Sequence, residues 1–179
     1  LGANDGIVSV SSLLVGVATA EPDGRVVFVA GVAGLVAGAM SMAAGEYVSV
    51  SSQSDTERAD IKREEAALRD MPTAELEELV EIYRLRGLTE DTARKVAQEL
   101  SKHDALGAHI RDELGLSELH SANPLEAAVA SGLTFSVAAA IPVLAAVVAP
   151  SDWIVPTVWA VTVGSLAGLG ALGAKFGGA

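Results

Sequence analysis

The chain has 179 residues, with 12 basic and 23 acidic side chains, no cysteine and a mean hydropathy of +0.41. The lack of cysteine excludes disulfides and thiolate metal sites, so a bound metal must use carboxylate, imidazole, thioether, carbonyl or water ligands. A net charge of −11 argues against a nucleic-acid partner and for attraction of cations.

Residues 6–20 form an uncharged run of 15. They predict a first span from about Asp5 to Ala20, followed by a tight turn at Glu21-Pro22-Asp23-Gly24. No basic stretch precedes it here, so it reads poorly as a signal peptide. Residues 26–45 are an uncharged run of 20, the length a helix needs to cross a bilayer. The run resumes after Glu46, and residues 55–70 contain neither Gly nor Pro. One long helix is therefore expected to leave the membrane and continue into water. Met71-Pro72-Thr73 breaks it, with Thr73 as a cap. A helix over 74–86 follows, with Leu76, Leu79, Val80, Ile82 and Tyr83 as its apolar positions, closed by Gly87. Thr89 is expected to cap a helix over 90–102, and a short helix over Asp104–Leu114 ends at Gly115. Asn123-Pro124 returns the chain to the membrane. Uncharged runs of 23 and 22 residues at 127–149 and 153–174 predict spans three and four. Trp153 anchors the last span at the interface.

The expected organisation is thus an all-α membrane protein. Residues 1–52 carry spans one and two, residues 53–124 form a small amphipathic helical domain, and residues 125–179 carry spans three and four. The middle segment holds 17 of the 23 acids and 10 of the 12 basic residues. Arg58, Lys62 and Arg63 lie just beyond span two, whereas the opposite loops contain Arg25 alone. The excess of positive charge places the helical domain in the cytoplasm. Gly34 and Gly38 in span two, and Gly164 and Gly168 in span four, are spaced to let helices approach closely.

Glu46 is the most informative residue. An ionisable group in hydrocarbon costs roughly 3 kcal/mol or more and marks a functional site by default. Met42 precedes it by four residues and so shares its helix face. Met40 points elsewhere and reads as packing. A carboxylate beside a thioether in a membrane suits a borderline cation better than Mg²⁺ or Ca²⁺. In the helical domain, Glu75 and Glu78 lie three apart on one face and can converge on a divalent ion. Glu77 and Glu81 read as a solvated face, and His103 and His120 as surface histidines.

Several motifs resemble the vacuolar iron transporter family. Asn4-Asp5-Gly6-Ile7-Val8-Ser9 looks like the start of its first helix, and residues 37–50, AGAMSMAAGEYVSV, look like its second. Glu75-Leu76-Glu77-Glu78-Leu79, Ile82-Tyr83, Gly87-Leu88, Asp112-Glu113-Leu114-Gly115-Leu116 and Asn123-Pro124 resemble its cytoplasmic domain. The resemblance covers essentially the whole chain. It implies a homodimeric carrier that exports Fe²⁺, and often Mn²⁺, from the cytosol in exchange for protons. Members have five spans, so four imply a fragment lacking the fifth span and some N-terminal residues. It also implies no tightly bound cofactor, the metal being substrate.

By the same resemblance, Asp5, Met42 and Glu46 line the ion path. Glu64, Glu75, Glu78 and Glu113 match metal-binding glutamates of the cytoplasmic domain. Ala67 stands where a glutamate is usual, and Glu65 is the nearest substitute. His109 and Ile110 stand where methionines occur, and His109 can keep a ligand in place of sulfur. The multi-pass protein would sit in a plasma membrane if bacterial and a vacuolar-type membrane if eukaryotic. A membrane-anchored metal sensor or buffer is the alternative. An intramembrane enzyme is disfavoured by the lack of a second polar cluster in spans three and four, and no nucleophilic triad, phosphate loop or nucleotide fingerprint is present.

Overall fold

A computed structural model describes residues 2–116 and 123–178, which form six α-helices and no strand. The helices are α1 (Gly2–Ala20), α2 (Gly24–Asp70), α3 (Pro72–Leu85), α4 (Glu90–Asp112), α5 (Pro124–Val148) and α6 (Ile154–Phe176), with a 3₁₀ turn at Ser151–Trp153 before α6. Four of them, α1, α2, α5 and α6 with its 3₁₀ turn, are long and apolar enough to cross a membrane. In a bilayer every backbone polar group must be satisfied within its own segment, which is why such runs become helices. The chain is accordingly an all-α integral membrane protein. It divides into two compact units, residues 1–49 with 123–179, and residues 50–122. α2 is continuous for 47 residues and contributes to both.

In the membrane unit the core consists of Val10 and Leu14 from α1, Val27 from α2, Phe135, Ala139 and Val143 from α5, and Ile154 and Val158 at the start of α6. Glycine sets how closely the helices approach. A Cβ on Gly6 would lie 2.6 Å from the Phe135 carbonyl oxygen, so α1 rests directly on the α5 backbone. A Cβ on Gly34 would lie 2.6 Å from Leu13, and one on Gly38 would enter the Phe135 ring. The spacing expected to bring helices together therefore does so on α2. On α6 it does not: Gly164 and Gly168 face open space. Small residues permit close approach, but only a neighbour on that face produces it.

The second unit packs α3 against α4 through Leu79, Val80 and Tyr83 on one side and Ala93, Ala97 and Ala108 on the other. Its helix ends follow local chemistry. Gly87 adopts φ +99°, and Gly87 and Leu88 donate to the Arg84 and Tyr83 carbonyls at 3.0 and 3.2 Å, the glycine C-terminal cap expected at this position. Gly115, at φ +66°, lets Leu116 N–H donate back to the Ile110 carbonyl at 2.9 Å. Asn123 Oδ1 accepts from the Leu125 and Glu126 amides at 3.1 and 3.3 Å and caps α5.

The threonine caps differ from expectation. Thr73 lies inside α3, because Pro72 already occupies the first turn after Met71. Thr89 does precede α4, but its hydroxyl bonds the Thr92 hydroxyl at 2.9 Å instead of a backbone amide. The two helices expected on either side of residue 103 form one run with a kink. Asp104 leaves helical geometry at φ −161°, ψ 89°, and its Oδ1 accepts from Gly107 N–H at 3.0 Å, capping the final turns.

Replacing Gly6 by Ala should destabilise the membrane unit by about 1–3 kcal/mol, the usual cost of overpacking. Gly164→Ala should be neutral or stabilising by up to ~1 kcal/mol through helix propensity. Unfolding midpoints in detergent compare the two, and equal midpoints would show that Gly6 does not set the α1–α5 crossing.

Candidate metal-binding sites

Four ligand-type side chains meet in the 50–122 unit. Glu64 comes from α2, Glu75 from the first turn of α3, His109 from the capped end of α4, and Glu113 from the residue after it. One ligand atom from each lies within 4.8 Å of all the others. His109 is fully buried, and Glu64 and Glu75 retain 7% and 6% exposure. The register of α4 after Asp104 puts His109 and Glu113 one turn apart on the same face. His109 Nδ1 lies 2.7 Å from Glu113 Oε2, 3.0 Å from Glu64 Oε1 and 3.9 Å from Glu75 Oε2.

The imidazole cannot satisfy three carboxylates at once. Its Nδ1–H is aligned with Glu113. Glu64 Oε1, although close, is buried with no hydrogen-bond partner, as is His109 Nε2. The Glu64 carboxyl is pushed above the ordinary glutamate range, first by burial and then by Glu113, with Glu75 and Glu78 adding to it; the lowering influence of His109 is outweighed. Glu78 is exposed at the edge of the group. Its carboxyl is also raised, chiefly by the Glu113 charge and then by burial and Glu75. An orphaned buried oxygen among like charges is the condition a cation relieves. The donor set of three carboxylates and an imidazole suits a divalent ion such as Fe²⁺, Mn²⁺ or Zn²⁺.

A latch supports the far side of this group. Tyr83 O–H donates to Asp112 Oδ2 at 2.6 Å, and Arg86 pairs with Asp112 Oδ1 and donates to its backbone oxygen. Burial and then Asp112 push the Tyr83 phenol up to about 12. Burial alone would raise the Asp112 carboxyl, but the Tyr83 and Arg86 hydrogen bonds hold it below its usual value. This fixes the residue between His109 and Glu113, which α4 must present together.

Other candidates fall outside the group. Glu65 is exposed, about 100° around α2 from Glu64. Ala67 and Ile110 are half-buried and carry no donor. His103 is exposed, and His120 lies outside the described residues. Neither Asp104 nor the Tyr83–Asp112–Arg86 latch stood out in the sequence, and their signal was at most a capping pattern, Asp three residues before Gly107.

In the membrane unit, Asp5 and Met42 line one cavity of about 490 Å³ with Asn4 and Val8. α1 supplies the oxygen groups and α2 the sulfur. Asp5 is exposed and Met42 half-buried, while Met40 is 69% exposed on another face. Glu46, one turn beyond Met42, is exposed and does not line this cavity. Asn4 joins Asp5 there as a neutral oxygen donor that sequence reasoning did not single out.

Comparison with known proteins adds an independent line. The VIT family profile matches residues 1–179. A vacuolar iron transporter of Acanthamoeba castellanii is 43% identical over 180 residues, covering 100% of this chain and 66% of the relative. Vacuolar iron transporter homologs 1 and 3 of Oryza sativa subsp. japonica are 38% and 41% identical, each over 100% of this chain and over 60% and 57% of their own lengths. The chain thus spans somewhat under two thirds of these relatives. With a full-length family match and this identity, the chain belongs to the VIT family.

Proposed function

We propose that this chain is the core of a divalent transition-metal transporter that exports Fe²⁺, Mn²⁺ or both from the cytosol in exchange for protons. The observation that carries the reading is the buried group of Glu64, Glu75, His109 and Glu113 with an unpartnered Glu64 oxygen, in a chain whose relatives include vacuolar iron transporters. The positive charge beyond span two argues that the 50–122 unit faces the cytosol. There its glutamates gather the ion and raise its local concentration. In the membrane, Asp5 and Met42 replace part of the ion's water, and Glu46 offers a further carboxylate one turn on. Hydrocarbon surroundings favour neutral carboxyls, so protons and metal compete for the same oxygens. Protons arriving from an acidic far side would release the ion there.

Asp5 and Glu46 are exposed on a single chain. Two carboxylates facing lipid would be costly, so a second copy that covers both and encloses the path fits this reading. One observation favours the alternative of a membrane-anchored metal sensor or buffer: the buried group is assembled entirely within one unit. That reading requires binding without flux.

Asp5→Ala in the full-length protein should lower Fe²⁺ and Mn²⁺ flux into vesicles by roughly tenfold or more, equivalent to about 1.4 kcal/mol. Met42→Ala should weaken Fe²⁺ flux more than Mn²⁺ flux, because sulfur is the softer ligand. Unchanged flux in both variants would remove this path, and metal binding by wild-type protein with no flux would establish the buffer.

The raised Glu64 and Glu78 carboxyls set a pH dependence. A glutamate raised in the folded state favours folding in its protonated form. That contribution is complete below the ordinary value of 4.5 and is lost as pH rises through the folded value. Metal-free protein should therefore gain stability on acidification from neutral toward 4.5, while stabilisation by added Mn²⁺ shrinks over the same window. Glu64→Gln should flatten the metal-free profile. His109→Ala should weaken Mn²⁺ binding by roughly 10–100-fold, comparable to the loss of an important metal-site partner. Thermal unfolding with and without Mn²⁺ reads both, and a metal increment independent of pH would count against carboxylate ligation.

A further inference from the structure

The last two turns of α4 do not continue its first part. In one unbroken helix Asp112 would lie about 33 Å from Glu90, at 1.5 Å per residue. Instead Asp112 pairs with Arg86, four residues before Glu90, and accepts from Tyr83 O–H at 2.6 Å. The break at Asp104 therefore turns residues 105–112 back toward α3. His109 and Glu113 are carried on that returning segment, and by returning they meet Glu64 of α2 and Glu75 of α3.

Two residues make the corner. Asp104 leaves helical geometry at φ −161°, ψ 89°, as residues that cap a helix N-terminus do. Its Oδ1 accepts from the amide of Gly107, three residues on, at 3.0 Å. Position 107 has no room for a side chain. A Cβ there would collide with Asp104 Oδ2, and would lie 2.7 Å from Asp104 Cγ and 3.2 Å from Arg111 Nη1. The carboxylate could step aside only by giving up its bond to the Gly107 amide. Asp104 is exposed, so it contributes through this cap more than through packing. We propose that Asp104 and Gly107 are positioning residues for metal binding: their corner sets the direction and phase of the final turns of α4, and so brings His109 and Glu113 onto the other two ligands. This rests on reading Glu64, Glu75, His109 and Glu113 as a metal site.

The test uses full-length protein in detergent, with Mn²⁺ as the probe. Binding titrations give affinity, and pulsed electron paramagnetic resonance on the bound ion detects the His109 nitrogen. Asp104→Ala should weaken binding roughly tenfold or more, as loss of a group that orients metal ligands does. The Mn²⁺ that still binds at saturation should show a weakened nitrogen signal. Asp104→Asn, which keeps a capping oxygen, should restore both. Gly107→Ala, a change that ordinarily favours a helix, should here weaken binding and the nitrogen signal as well. Added to Asp104→Ala it should cost less than it does alone, because the carboxylate it strikes is gone. Wild-type affinity and nitrogen signal in both single alanine variants overturn the proposal. So does weaker binding with an undiminished nitrogen signal and no rescue by Asp104→Asn, which would make the corner a matter of stability only. A wild-type protein whose bound Mn²⁺ shows no nitrogen signal overturns the metal-site reading, and the proposal with it.

Discussion

Buried like charge governs this molecule. Glu64, Glu75 and Glu113 surround one imidazole, and the imidazole has one aligned proton to give. Even if it were fully protonated, two negative charges would remain uncompensated in a space where Glu64 is nearly inaccessible to water. Such a group does not persist for stability alone, since replacing it with apolar side chains of similar volume is commonly neutral or favourable. A bound cation, as proposed above, would relieve this charge. The supporting parts follow from the same requirement: Asp104 restarts α4 in the phase that aims His109 inward, and Tyr83 with Arg86 holds Asp112 so that His109 and Glu113 are presented together.

The membrane unit meets a different constraint. Helices in lipid gain little from apolar contact itself and must pack closely to associate. Gly6, Gly34 and Gly38 provide that on α1 and α2: the α5 backbone lies against Gly6, Leu13 against Gly34 and the Phe135 ring against Gly38. Packing is concentrated on one side of α2. Its other residues, including Val29, Val36, Met40 and Tyr47, remain exposed on the single chain, and Glu46 lies among them. The helix that carries the most costly charge is thus also the one least covered.

Much of the fold was legible because its signals are local. Uncharged runs of membrane length became helices, and Gly87, Gly115 and Asn123 end or begin helices through bonds that involve only nearby residues. Signals that depend on a partner were less legible. Gly164 and Gly168 repeat the spacing of Gly34 and Gly38, yet only the latter pair has a neighbour. Thr89 had a backbone amide and the Thr92 hydroxyl as competing partners, and the hydroxyl won. The grouping of Glu64, Glu75, His109 and Glu113 was legible chiefly through resemblance. Glu64, Glu75 and His109 are far apart in sequence, so no spacing rule joins them. Helical phase does separate Glu64 from Glu65, because a single residue step turns the side chain away from the cluster.

The identity of His109 bears on what the group can hold. A thioether is a soft, neutral, acceptor-only ligand, whereas an imidazole is a harder nitrogen base that also carries a proton. With nitrogen at this point, the three carboxylates and His109 form a set without sulfur, suited to Mn²⁺ as well as Fe²⁺. Sulfur remains at Met42 in the membrane unit, where α2 carries it beside Asp5. One long helix therefore bears a ligand-type side chain in each of two environments: the Glu64 carboxylate in an oxygen-and-nitrogen group, and the Met42 thioether in a mixed oxygen-and-sulfur cavity. Under the proposed transport function, an ion moving from the first to the second would exchange nitrogen and excess negative charge for sulfur and fewer charges. In that proposed transport the step would weaken electrostatic retention, and an ion held equally tightly everywhere would not move on.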